Sequence, residues 1–109
     1  MQRSITRKSI NDYKQYLLMA EKAHATITKY INEMERLSNY LGHNALSKCA
    51  LLEYRETLAE SFSSRTVNTK LAAINGYLGF IGADEYKLRL LKVQRRAFLE
   101  ESRELSMAE

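Results

Sequence analysis

An all-α fold is the expectation for this chain, on three grounds. Its 109 residues include no proline and only four glycines, so little interrupts a helix. Strict apolar/polar alternation, the mark of a half-buried strand, persists nowhere. Apolar residues instead recur at steps of three and four in four separate stretches. The length suits one domain able to bury roughly two thirds of its unfolded surface. Cys49 is the only cysteine, so no internal disulfide staples the chain; an intracellular, reducing setting and a buried or half-buried thiol are expected.

The first helix is expected to begin at Ser9, where "SIND" sets Asp12 three residues after a hydroxyl cap, with Ile10, Tyr13, Leu17 and Ala20 as its buried stripe. The chain then passes through "EKAHAT" into a second helix capped by Thr26. Ile27, Tyr30, Ile31, Met34, Leu37 and Leu41 face inward, and Gly42 is the stop. Ser47 caps a third helix whose apolar contacts are Leu51, Leu52, Tyr54, Leu58 and Phe62, and whose outer face carries Glu53, Glu56 and Glu60. The fourth helix lies in "SSRTVNTKLAAINGYLGFIG", residues 63–82, with Val67, Leu71, Ile74, Leu78 and Ile81 on one stripe. Another side of it carries Thr69, Ala72, Gly76 and Gly79. Interior glycines cost about 1 kcal/mol each against alanine, so such a row is expected to admit a neighbouring helix at close range. After Gly82 periodicity weakens, and "LRLLKV" reads equally as a short strand or an irregular run.

Several function classes find no support. No apolar run has secretory or membrane-spanning length, which leads us to expect a soluble, cytoplasmic chain without a membrane partner. His24 and His43 are far apart and lack metal spacing, so neither a metal site nor a cofactor is expected. No phosphate-binding glycine loop, nucleophile elbow or zinc-protease motif occurs. Of the seven tyrosines, Tyr13, Tyr30 and Tyr54 fall on apolar stripes and read as core, while Tyr16, Tyr40, Tyr77 and Tyr86 are unassigned. No catalytic residue is assigned.

Charge distribution says more than the net +4. Residues 1–29 hold six Lys/Arg against two Asp/Glu, 30–62 three against five, 63–98 seven against two, and 99–109 one against four. Two basic blocks thus flank an acidic one. The fourth helix opens on Ser63, Ser64, Arg65, Thr66, Asn68, Thr69 and Lys70, none needed for its buried stripe. A helix start adds free N–H groups and partial positive charge, suited to phosphate. Lys22 and Lys29 flank the start of the second helix, and Lys87, Arg89, Lys92, Arg95 and Arg96 follow the fourth. If both helix starts share one side of the bundle, they form a surface able to hold a duplex backbone. Electrostatics alone leaves a second reading open, a solvated surface with ordinary caps.

"EKAHATITKYINEMERLSNYLG", "LSKCALLEYRETL" and "SSRTVNTKLAAINGYLGFIG", in that order and spacing, resemble the N-terminal core-binding (SAM-like) domain of phage-integrase-type tyrosine recombinases. The resemblance spans roughly residues 9 to 82 and implies a compact four-helix bundle of SAM-like integrase core-binding type. A flexible N-terminus over 1–8, a helical domain over 9–86 and a linker over 87–109 toward a catalytic domain are expected, with "RELSMAE" resembling that family's junction. In that family this domain closes over one side of double-stranded DNA while the catalytic domain closes over the other. The resemblance therefore assigns DNA contacts to Thr26, Thr28 and Lys29 in the second helix and to Ser63, Ser64, Arg65, Thr66, Asn68, Thr69 and Lys70 in the fourth. Lys92, Arg95 and Arg96 would track the backbone from the linker. The family's catalytic arginines, histidine motif and nucleophilic tyrosine belong to the other domain, and neither His24 nor His43 precedes an arginine by three residues. Binding without cutting is expected, during DNA integration and recombination on the nucleoid, beside other recombinase protomers. A helical protein-interaction module is the alternative.

Overall fold

Thr6, three residues before the expected cap, opens the first helix. The computed structural model describes residues 4–42 and 44–92; the expectations placed on His43, Arg95, Arg96 and the rest of 93–109 lie outside the described residues. Four helices follow in order, α1 (Arg7–Met19), α2 (His24–Leu41), α3 (Lys48–Ser61) and α4 (Ser64–Phe80), then one short 3-10 turn (Asp84–Tyr86). The all-α expectation holds, with no β-strand among the described residues.

Two helix starts differ from expectation. Thr6 caps α1 through a reciprocal box: the Ser9 N–H donates to Thr6 Oγ1 at 3.0 Å and the Thr6 N–H donates to Ser9 Oγ at 2.8 Å. Ser9 is the third helical residue, filling the role that Glu or Gln usually takes. Part of the 1–8 segment therefore belongs to the folded domain. α2 begins at His24 after Ala23, with no side-chain cap, so Thr26 is an ordinary first-turn residue. Between α1 and α2 the chain turns on Glu21 at φ 60°, while the N–H groups of Glu21 and Lys22 donate to Leu18 and Leu17 carbonyls. This is a Schellman closure with a non-glycine in the left-handed position. Ser47 caps α3 as expected, accepting from the Ala50 N–H, and Ser63 caps α4, accepting from the Thr66 N–H. Gly42 and Gly82, at φ 61° and 76°, end α2 and α4 in a region that strains other residues.

The core is built around α4, which packs on α2 and α3, while α1 packs on α2. Val67, Leu71, Ile74 and Leu78 are fully buried with Met34, Leu37 and Leu51; each large aliphatic side chain so buried contributes roughly 1.5–3 kcal/mol. Tyr77 joins them, which resolves one unassigned tyrosine as core, and Tyr13 and Tyr54 are buried as expected. Tyr13 reaches from α1 to donate to the Ala73 carbonyl at 3.2 Å, its ring edge-on to Tyr77 at 5.4 Å between centroids. A Cβ at Gly76 would lie 2.5 Å from the Tyr13 hydroxyl oxygen, so glycine is what leaves room for that hydroxyl against α4. Three expected contacts fail. Ala20 is the exposed C-cap of α1. Cys49 is exposed because it precedes Leu51 by two residues, about 200° around the helix from that buried stripe. Phe62, the C-cap of α3, remains 45% exposed.

Residues 87–92 are neither free linker nor paired strand. They run as a strap along α4, held by two asparagines. Asn75 Nδ2 donates to the Leu88 carbonyl at 2.9 Å, and the Leu88 N–H donates to Asn75 Oδ1 at 2.8 Å. Asn68 does the same for Leu91 at 2.8 and 2.7 Å. The register follows from geometry. Seven residues of helix rise about 10.5 Å and three of extended chain cover about 10 Å, so the clamps match in pitch. Lys48 donates to the Lys87 carbonyl, and Arg55 donates to that of Arg89 at 2.8 Å, tying the strap to α3 as well. Because Leu88 pairs with Asn75 and Leu91 with Asn68, the strap runs antiparallel to α4 and brings Lys92 toward the first turns of that helix.

Candidate nucleic-acid interface

α2 and α4 enclose a cleft of about 330 Å³, with Lys29, Tyr30, Asn32, Glu33 and Arg36 on one wall and Thr66, Thr69, Lys70 and Ala73 on the other. The contacts advance in opposite directions along the two helices, Tyr30 beside Gly76 and Glu33 beside Lys70. The two N-termini are therefore not paired tip to tip. What the fold brings together is one face of α2 with the opening turns of α4.

Glu33 closes the floor of this cleft. It falls on the α2 stripe, three residues after Tyr30 and four before Leu37, and is 3% exposed. A bare carboxylate there would be costly, and three partners offset it. Tyr54 donates to Oε2 at 2.5 Å, Lys70 Nζ lies 3.2 Å from Oε1, and Arg36 Nη1 lies 3.9 Å from the same oxygen. Burial, then the hydrogen bond to Glu33, push the Tyr54 hydroxyl well above its ordinary value, so the phenol stays a donor. Lys70 also sits over the Phe62 ring, 4.8 Å from the centroid, which gives that exposed aromatic a packing role.

The expected site residues fall into three overlapping sets. Lys29, Thr66, Thr69 and Lys70 meet in the cleft. Lys29, Arg65 and Lys92 are exposed and make no ion pair among the described residues; Thr28 is exposed and Thr26 half-buried, and neither lines the cleft. Several, two of the cleft threonines among them, are engaged within the fold. Ser63 Oγ accepts from the Thr66 N–H and donates to Thr66 Oγ1, Thr69 donates to the Arg65 carbonyl, and Asn68 holds the strap. Ser64 is half-buried at the helix start. Sequence reasoning missed Asn32, Glu33 and Arg36. Arg36 follows Lys29 by seven residues, two helical turns, and that spacing was available to find it.

The acidic residues Glu53, Glu56 and Glu60 of α3 are all exposed, as expected. The small-residue row of α4 offers less open surface than its sequence suggests, since Gly76 meets Tyr13 and Gly79 faces the Lys87 side chain.

Fold and cleft together define a small all-α domain in which three cations and two threonines surround one buried carboxylate. Residues 10–85 match the family described as phage integrase, N-terminal SAM-like domain, and the chain belongs to that family. Comparison with curated proteins and with solved structures finds no match. No described helix is long and apolar enough to cross a membrane.

Proposed function

We propose that this domain binds double-stranded DNA as the core-binding part of a site-specific tyrosine recombinase, acting on nucleoid DNA in the cytoplasm. It supplies backbone affinity and some groove contact and performs no strand cleavage, which falls to the catalytic domain of the same parent chain. Other recombinase protomers share the DNA. The observation that carries this reading is the α2–α4 cleft, where Lys29 and the largely exposed Arg36 flank Thr66 and Thr69. Membership of the integrase family supports it. Arg65 and Lys92 extend the cationic set, and the acidic face of α3 is unsuited to phosphate.

If Lys29, Arg36, Arg65 and Lys92 each neutralise one phosphate, log affinity falls against log salt with a slope near −3.6, a loss of about 150-fold between 50 and 200 mM. Fluorescence anisotropy with a labelled duplex measures this. Binding that ignores salt contradicts the reading. The protein-interaction alternative drew on the small-residue row of α4 and on the apolar end of the tail; the contacts at Gly76 and Gly79 weaken the first, and the second lies outside the described residues.

A further inference from the structure

Given duplex binding in the α2–α4 cleft, we infer that Glu33 is a built-in competitor of phosphate that withholds Lys70 from DNA and so limits the affinity and salt dependence of the site. The cations of the cleft are not equivalent. Arg36 is 64% exposed and approaches Glu33 only at 3.9 Å, so its guanidinium is open to solvent and to a ligand. Lys29 is exposed at the other end of the same helical face. Lys70 is 14% exposed, 3.2 Å from a carboxylate that is itself 3% exposed, and its ammonium lies over an aromatic ring.

Affinity for a polyanion comes from cations that exchange condensed counterions for the protein, one per neutralised phosphate. Lys70 already has an anion. Moving it to a phosphate would leave Glu33 buried with only the Tyr54 hydroxyl and a distant Arg36, and stripping one partner from a buried pair is far more unfavourable than a screened surface contact is favourable. Lys70 therefore stays with Glu33 when DNA arrives. The carboxylate also opposes phosphate at the cleft floor, which leaves Lys29 and Arg36 to grip the strand at the edges. A chain with a neutral residue at position 33 would bind more tightly and release less readily.

The test is the near-isosteric Glu33→Gln, measured by anisotropy with one duplex over a salt series beside the unaltered chain. The slope is expected to steepen by about 0.9, an extra loss of about 3.5-fold between 50 and 200 mM, with tighter binding at the low-salt end. Adding Lys70→Gln to Glu33→Gln should return the slope to its original value. A purely structural role for Glu33 would lower thermal stability and leave the slope unchanged, and that result overturns the inference. If the unaltered chain ignores duplex, the duplex-binding reading falls and this one with it; salt-dependent binding by the unaltered chain with an unshifted slope in Glu33→Gln overturns this one alone. Should Glu33→Gln not fold, lysine ammonium NMR on the unaltered chain decides. Added duplex should shift the Lys29 resonance and leave that of Lys70 in place, and equal shifts at both would refute the proposal.

Discussion

Asn75→Ala isolates what holds the strap. Asn75 exchanges two hydrogen bonds with the main chain of Leu88, at 2.8 and 2.9 Å, in a partly buried setting. A typical intramolecular hydrogen bond contributes about 0.5–1.5 kcal/mol net, so removing the pair should weaken strap docking by about 1–3 kcal/mol. Because residues 87–92 lie outside α1 to α4 and dock on their surface, most of that loss should appear as local opening rather than global unfolding. Amide hydrogen exchange followed by NMR reads it directly. Protection of the Leu88 N–H should fall by about 5- to 140-fold, while amides of the buried α4 stripe, such as Leu71 and Ile74, change much less. Asn68→Ala should do the same to the Leu91 N–H, which donates to Asn68 Oδ1 at 2.7 Å. Unchanged exchange at Leu88 in Asn75→Ala would refute the clamp as the source of strap order.

Three further outcomes follow from the same structure. Arg65→Glu should weaken duplex binding by ~10-fold or more at low salt, whereas Glu56→Lys on the exposed acidic face of α3 should not weaken it; equal losses in anisotropy would mean the binding face is misassigned. Glu21→Gly should relieve the left-handed residue at φ 60°, raising stability by about 0.5–1 kcal/mol and the melting midpoint by about 2–8 °C, as read by circular dichroism. Burial raises the hydroxyls of Tyr13, Tyr54 and Tyr77 above their ordinary value of 10.0. The native state thus retains protons that the unfolded chain releases, so stability should hold below pH 10 and fall above it, by up to about 4 kcal/mol per pH unit for the three together. Denaturant unfolding with tyrosinate absorbance checks this, and buried tyrosines that ionise at the ordinary value without loss of structure would contradict it.

What could be read in advance was local. Stripes at three- and four-residue steps located α1 to α4, and Ser47, Gly42 and the 63–82 bounds of the fourth stretch marked ends that the structure keeps. The boundary between α1 and α2 was misread because its signals are atypical. The left-handed position holds Glu21 where glycine is usual, and α2 opens on Ala23 with no capping side chain, so Thr26 drew attention to the wrong turn. The strap was illegible for another reason. Asn68 and Asn75 are polar residues on a helix until the chain folds back in matching register, and nothing local announces Leu88 and Leu91 as their partners.

The site shows the same division. Threonines and cations at the start of α4 were visible as surplus to its buried stripe, but the partners each residue finds within the fold were not. Asn68 serves the strap, Ser63 the cap, and Lys70 the buried Glu33. Glu33 had left a signal, a carboxylate placed at apolar spacing between Tyr30 and Leu37, but its meaning depends on Tyr54 and Lys70 arriving from two other helices.

Amide chemical-shift mapping with a short duplex tests the binding face most directly. Perturbations should concentrate at Lys29, Arg36, Thr66 and Thr69 and extend to Arg65 and Lys92, with the Glu53, Glu56 and Glu60 face of α3 silent. Shifts centred on α3, or no shifts at a duplex concentration that saturates anisotropy, would contradict it.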